Sequence, residues 1–346
     1  MSGKYHALHA GFAASFGRAR RYLPAAAVLL AVAGLVSWWA AGTPPQARPE
    51  PEPPGGAGRV ELSPQLVEKY SREPTITIFD HRTSSRVSMP IERYIERVVA
   101  GETVEGWKHA TLAAQAIVAR TFTLRSIESP GNTSRQLHGT DACTSKDHFQ
   151  AYSPQKVDTA IRQAVSDTRG MILAFEDELV LSYFSSSSGG MTAALKEGFP
   201  FMQEEAPYLV PRPSPDREIA PAYAAAWTTR VSRAALRRVM GARAGTAASV
   251  VIESRGPSGR AEIIRVGQSR IHAAVLRRRL GPEVLRSTMI TSISVGPTHV
   301  IFRGRGWGHG VGLDQWGAEA MAREGRNFEE IVAHYFPGAG VVKLWE

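Results

Sequence analysis

Residues 304–317 read GRGWGHGVGLDQWG, and no other stretch restricts the fold as tightly. Glycine stands at 304, 306, 308, 310, 312 and 317. Glycine loses more conformational freedom on ordering than any other residue. A dense run therefore stays loose, or serves a backbone that turns tightly or approaches another closely. A flexible linker has no use for the interleaved Arg305, Trp307, His309, Gln315 and Trp316. The run follows a predicted strand at 299–302 and precedes a predicted helix from Asp314. It reads as a rigid, ligand-lining loop, the alternative being a strand-to-helix turn with aromatic packing. A nucleotide loop is excluded: counted from Gly304 the sixth residue is His309, and from Gly306 it is Val311, so G-x-G-x-x-G is not met. Trp307 and Trp316 suit stacking on sugar faces, while His309, Gln315 and backbone N–H groups suit hydroxyls and acetamides.

The formal net charge of +9 favours an acidic partner. No nucleic-acid-binding pattern occurs, and the basic residues do not cluster with stacking aromatics, so the expected partner is an anionic polymer outside the cytoplasm and not nucleic acid. Arg18, Arg20 and Arg21 precede an uncharged run at 22–42. About 20 residues at 1.5 Å rise span roughly 30 Å, the thickness of a hydrocarbon core. This predicts a basic cytoplasmic tail over 1–21 and a single-pass anchor over 22–42, with Trp38 and Trp39 at its far interface. The C-terminal part then lies outside the cytoplasm. A cleaved signal peptide ending near Ala40 and Gly42 is the rival reading. Residues 43–60 are a proline-rich spacer, and 61–346 form the folded domain. Cys143 is the only cysteine, so no intrachain disulfide is available.

The folded part predicts an α+β class with mixed helices and mainly antiparallel strands. Strands at 75–79 and 86–89 form a hairpin. Pro90 opens a helix, since its missing N–H is no loss there. Ile91, Tyr94, Ile95, Val98 and Val99 form a 3.6-residue stripe, ended by Gly101 and Glu102. An alanine-rich helix follows at about 108–126. Glu102 sits between the two helices, flanked by Val98, Val99 and Val104. A partly desolvated carboxylate there has a pKa raised toward the range of a general acid; the alternative is an exposed junction glutamate. The polar loop 128–150 holds His138, Cys143 and His148, zinc ligands by type. Their spacing matches no standard finger and a fourth ligand is missing, so no metal and no cofactor are expected.

Beyond that loop, a helix is predicted at 158–168 and strands at 171–175 and 179–183. The hydroxyl-rich stretch FSSSSGG at 184–190 suits a polar ligand, and it forms no G-x-S-x-G elbow. Residues 200–225 are expected to cross the surface. From 227 to 300 helices and strands alternate: helices at 233–240 and 271–280, strands at 249–254, 261–266 and 290–295. Arg277, Arg278 and Arg279 read as a solvated face. A helix at 314–324 is followed by a last helix to Tyr335, begun by a capping box of Asn327 and Glu330.

Residues 304–338, GRGWGHGVGLDQWGAEAMAREGRNFEEIVAHYFPG, resemble the C-terminal signature of the stage II sporulation protein D family, which includes amidase-enhancer proteins. Residues 90–124, PIERYIERVVAGETVEGWKHATLAAQAIVARTFTL, resemble its other long signature. Smaller matches are SSSSGG, PYL at 207–209 and SGRA at 258–261. The resemblance runs from about residue 86 to the C-terminus. It implies a glycan-binding cleft and a lytic transglycosylase acting on peptidoglycan glycan strands, with no cofactor and with a cell-wall amidase as a candidate partner. A non-catalytic wall-binding or amidase-enhancing module is the alternative. By resemblance Glu102 is the catalytic acid and Arg120 its support. Substrate contacts would come from Gln115, Tyr183, Ser185, Ser187, Ser188, Gly189, His309, Gln315 and Trp316. The chain departs from the family pattern twice. Where many members have a second loop cysteine, His148 is followed by Phe149; where many have Tyr-His before the serines, Tyr183 is followed by Phe184.

Overall fold

The hairpin forms as Thr75–Asp80 paired antiparallel with Ser85–Pro90. Pro90 closes the strand and caps the helix Ile91–Glu102, one residue before its expected place inside that helix. Its backbone is extended there, and the helix begins with a residue whose N–H is free to bond Pro74 O. The structure, a computed structural model, describes residues 62–346. The predicted tail, anchor and spacer lie outside the described residues. Among the described residues, no helix is long and apolar enough to cross a membrane.

The helix His109–Glu128 is the element on which the rest packs. It is buried nearly all round, from Thr111 to Leu124. Leu112, Ala113, Ala116, Ala119 and Leu124 face one apolar cluster, shared with the hairpin and with the helices Ile91–Glu102 and Thr159–Asp167. Ala114, Ile117 and Val118 face a second cluster, shared with the strand Met171–Phe175 and the helices Gln315–Arg323 and Phe328–Tyr335. Its alanines let neighbours approach closely on both sides, and the large side chains between them fill the gaps. Truncating Ile117 to Ala would cost about 2–5 kcal/mol.

The third cluster belongs to residues 227–302. Two antiparallel sheets build it. One is ordered Ser269–His272, Ala261–Val266, Val250–Arg255, the other Ile290–Val295, His299–Gly304, Trp227–Ser232. The helices Arg233–Met240 and Ala273–Leu280 contribute Leu236, Ala273 and Leu276 to its core. Elsewhere Gly340–Lys343, Met171–Phe175 and Glu178–Leu179 form an antiparallel sheet, and two short parallel pairings join distant segments. The class is therefore mixed α and β, with strands mostly antiparallel.

Several elements differ from expectation. The strand expected at 179–183 shrinks to Glu178–Leu179, and the next one begins at Phe184. The loop 128–150 contains a short helix, Thr133–His138, capped by Asn132 and ended by Gly139 in the left-handed region. The segment 200–225 is not merely superficial: Tyr208, Leu209 and Asp216 are buried. Arg277 is half-buried and donates through Nε to Arg286 O, while Arg278 and Arg279 are exposed as expected.

Candidate active site

The glycine loop and the serine loop zip together along their backbones. Ser187 and Trp307 exchange N–H···O bonds of 3.1 and 2.8 Å. Leu313 N–H donates to Tyr183 O, Trp316 N–H to Ser186 O, and Leu313–Asp314 pairs parallel with Phe184–Ser185. Close approach explains the glycines. A Cβ on Gly308 would sit 2.6 Å from Ser185 Cβ, and one on Gly312 2.0 Å from Tyr183 O; both residues have positive φ.

Beneath the serine loop the polar groups are locked. Ser188 N–H donates to Asp314 Oδ2 at 2.9 Å, while Ser187 Oγ and Gly189 N–H donate to Asp216. Buried Arg260 donates to the carbonyls of Ser188 and Met191. Asp314 also caps the helix Gln315–Arg323 through Gly317 N–H. Burial, then the charge of Asp216, pushes its pKa up to about 7.

Against this scaffold lies a cleft of about 570 Å³. Glu102 enters from one side, at the last turn of the helix Ile91–Glu102. Ser185, Ser186, Trp307, His309 and Gln315 come from the two loops. Glu102 Oε1 accepts the Ala151 N–H at 2.6 Å, and Oε2 accepts from Gln315 Nε2 at 3.3 Å. Burial raises the Glu102 pKa above the ordinary carboxylate range; these two donors and the Lys146 charge pull against it. The result is a carboxyl that keeps its proton longer than a solvated one, with donors already aimed at its ionised form. Tyr223 and Trp307 pack edge to face at 4.9 Å, and Arg286 stacks on Trp307 at 5.0 Å. A second carboxylate, Glu283, lines the same cleft and is exposed.

The structure brings together Glu102, Tyr183, Ser185, His309 and Gln315, as the sequence suggested. Ser185 Oγ is buried without a protein partner, a hydroxyl free for a ligand. His309 contributes its ring more than its nitrogens. Nδ1 accepts from Val311 N–H, and burial together with Arg277 and Arg260 lowers its pKa to about 3. Its ring packs 4.9 Å from Phe199.

Five expected contacts are differently placed. Ser187, Ser188 and Gly189 face the buried carboxylates under the loop and do not line the cleft. Trp316 packs edge to face on Trp107 at 5.1 Å, against the first core cluster, and Trp307 takes the cleft position instead. Gln115 is buried behind Gln315, its Oε1 3.4 Å from Gln315 Nε2. Arg120 also departs from its expected role. It is fully buried and pairs with Glu92 at 2.7 Å, not with Glu102, and donates to Met171 O. Glu92 in turn accepts from Gly170 N–H and Trp345 Nε1. Residues missed in the sequence are Ala151, Lys146, Tyr223 and Glu283, none of which carries a local pattern. Away from Glu102, His138, Cys143 and His148 do meet, and His81 joins them; their ligand atoms lie within 4.8 Å of one another.

A profile for the Stage II sporulation protein family matches residues 80–175. The chain is 29% identical over 289 residues to Stage II sporulation protein D of Bacillus amyloliquefaciens, covering 79% of this chain and 81% of that one. It is 30% identical over 258 residues to an uncharacterized protein of Brachyspira hyodysenteriae, covering 73% of this chain and 66% of the relative. An amidase enhancer of Bacillus subtilis is 24% identical over 360 residues, covering 80% of this chain and 48% of the enhancer. The profile match takes in Glu102 and the segment that holds it, and with these relatives it identifies the family: the chain belongs to the stage II sporulation protein D and amidase-enhancer family.

Proposed function

We propose that the protein acts on the cell wall as a peptidoglycan lytic transglycosylase, with Glu102 serving first as acid and then as base. The single observation that carries this reading is the buried Glu102 carboxyl, held by Ala151 and Gln315 in a cleft walled by both loops. Protonated Glu102 gives its proton to the glycosidic oxygen beyond N-acetylmuramic acid, and the ring gains oxocarbenium character. The Ala151 and Gln315 N–H groups stabilise the carboxylate that remains. That carboxylate then takes the proton of the sugar's own C6 hydroxyl, whose oxygen closes on C1 as a 1,6-anhydro ring. No water is consumed. Trp307 and Tyr223 offer aromatic faces to the sugar, and Ser185 offers its hydroxyl.

Anchoring fits the same role: residues 22–42 would tether the domain on the wall side of the cell membrane. The net charge of +9 suits an anionic polymer. The amidase-enhancer relative favours a second reading, a non-catalytic wall-binding module that assists an amidase. The exposed Glu283 supplies a third comparison, since a two-carboxylate hydrolase would use water. Incubating full-length protein with purified glycan strands separates the three. Transglycosylation yields no new reducing ends; hydrolysis yields one per cleavage; the binding module sediments with the strands and shortens none.

A further inference from the structure

We infer that residues 227–304 form a docking face for a phosphodiester-linked anionic polymer, and that Arg217, Arg255 and Arg305 seat one of its phosphate groups behind the serine loop. Such a seat involves neither Glu102 nor the transglycosylase reading.

The charge of the chain is spread unevenly. Between 227 and 304 stand fourteen arginines, no lysine, no aspartate and three glutamates, so the whole excess behind the net charge of +9 resides there. Nine of these arginines are exposed, among them Arg230, Arg238, Arg243 and Arg303. Among the described residues, only Arg265 and Arg270 of the fourteen form salt bridges, both to Glu253. Glu262 accepts from Ser254 Oγ, and Glu283 faces the Glu102 cleft. Most of the guanidiniums therefore meet water and not a carboxylate. Arginine keeps its proton and presents a planar fork of donors, which matches the oxygens of a phosphate.

One cavity of about 320 Å³ gathers three guanidiniums. Arg217 reaches it from the short turn of helix Pro215–Glu218, Arg255 from the end of the strand Val250–Arg255, and Arg305 from the glycine loop. Arg255 is fixed there, its Nη1 donating to Gly259 O at 2.7 Å and to Ile290 O at 3.0 Å. Arg305 Nε is buried with no hydrogen-bond partner. Burial and the neighbouring Arg217 charge hold the Arg305 pKa below the ordinary guanidinium value, and Asp216 offsets part of this. Asp216 is no counterion in contact, for its Oδ2 accepts from Ser187 Oγ and Gly189 N–H. Guanidiniums that repel one another around a cavity are stabilised by an oxyanion placed between them.

Glycine lets the arginines lie against the serine loop. A Cβ on Gly190 would be 2.9 Å from Arg217 Cδ, and one on Gly189 3.0 Å from the carbonyl carbon of Arg305; both glycines have positive φ. The loop thus presents Ser185 to the Glu102 cleft and its two glycines to the arginine cavity.

The occupant follows from what this face lacks. Trp227 and Phe302 are the only Trp, Tyr or Phe between 227 and 304, and both are buried, so no ring is offered to nucleic-acid bases. Its exposed large apolar residues are the single valines Val251, Val284 and Val295, with no aromatic or leucine to enter a bilayer. A flexible polymer with a phosphate in each repeat and no base to stack needs charge alone.

The test uses full-length protein with short poly(glycerol phosphate) as probe, and reads binding by calorimetry. Wild type should bind at low salt and weaken as salt rises. Arg217→Gln with Arg255→Gln should weaken binding at least about ten-fold. Arg243→Gln with Arg279→Gln removes the same charge outside the cavity and should weaken it no more than about two-fold. Should the Arg255 change disturb the fold, Arg217→Gln alone, on an exposed side chain, should still cost about five-fold. Inorganic phosphate should shift the Arg305 Nε–H resonance of the wild type, and Glu102→Gln should bind the polymer as the wild type does. Absent or salt-independent binding would overturn the docking face, as would anionic vesicles or single-stranded DNA bound as tightly as the polymer. Equal losses from the two double variants, or an Arg305 resonance that phosphate leaves in place, would overturn the seat.

Discussion

Gln315 Nε2 lies 3.3 Å from Glu102 Oε2, joining residues 213 positions apart. The contact ties the glycine loop to the carboxyl. Gln315 opens the helix Gln315–Arg323, whose cap, Asp314, is itself fixed by Ser188 and Ser214. The glycines are therefore not the reactive centre. They allow two loops to close together so that one amide reaches Glu102.

Gln315→Ala should move the alkaline limb of the activity profile. In the proposed mechanism Glu102 acts first as an acid, so activity should fall as pH rises through its raised pKa. The Gln315 hydrogen bond favours the ionised form and lowers that pKa. Its removal raises the pKa further and carries the limb to higher pH. The pH dependence of kcat/KM in wild type and variant checks this; a limb that stays put or moves to lower pH contradicts it.

His309 should remain neutral across physiological pH, since its pKa is lowered to about 3 by burial and by Arg277 and Arg260. Its imidazole resonances should therefore not titrate between pH 5 and pH 8. A midpoint near 6.5 in the NMR titration would show that the ring is solvated.

Asp314 gives stability a pH dependence of defined sign. Its folded pKa is raised from 3.8 to about 7, so the folded state holds a proton that the unfolded chain releases. This contribution is complete below the unfolded value and is lost as pH rises through about 7. Asp314→Asn should flatten that part of the curve. Urea midpoints measured at intervals from pH 4 to pH 8 test the prediction, and a wild-type stability that rises through Asp314's titration range would contradict it.

Removing Arg120 should damage the fold and not the chemistry. It strands Glu92 as a buried, unpaired carboxylate, a loss of about 3–5 kcal/mol. Arg120→Ala should therefore lower the urea midpoint strongly, while the protein that remains folded keeps the wild-type pH profile. Wild-type stability with a shifted Glu102 limb would instead place Arg120 at the acid.

Periodicity made much of the fold legible. The stripe from Ile91 to Val99, the capping box at Asn327 and the strands Ala261–Val266 and Ile290–Val295 are local patterns, and they formed where expected. The strand Trp227–Ser232 was not read, because it lies at the edge of a proline- and alanine-rich stretch. Site residues divide along another line. Glu102 and Gln315 stood out through long signatures. Which tryptophan faces the cleft depended on the direction of each side chain around a turn: of the two read as sugar-stacking, Trp307 lines the cleft and Trp316 packs on Trp107. Arg120 found Glu92 because both lie inside the packed helices, a pairing that no spacing reveals. His81 had no neighbouring ligand in sequence, and only the parallel pairing of Phe79 with Cys143 brings it to the other three.

The central claim is that Glu102 moves the proton in a reaction that consumes no water. Mass spectrometry of glycan strands treated with full-length protein, wild type beside Glu102→Gln, tests it most directly. Wild type should generate 1,6-anhydro-muramic ends, and Glu102→Gln should still bind the strands but generate none. Reducing muramic ends from the wild type, or anhydro ends that persist in Glu102→Gln, would contradict the account.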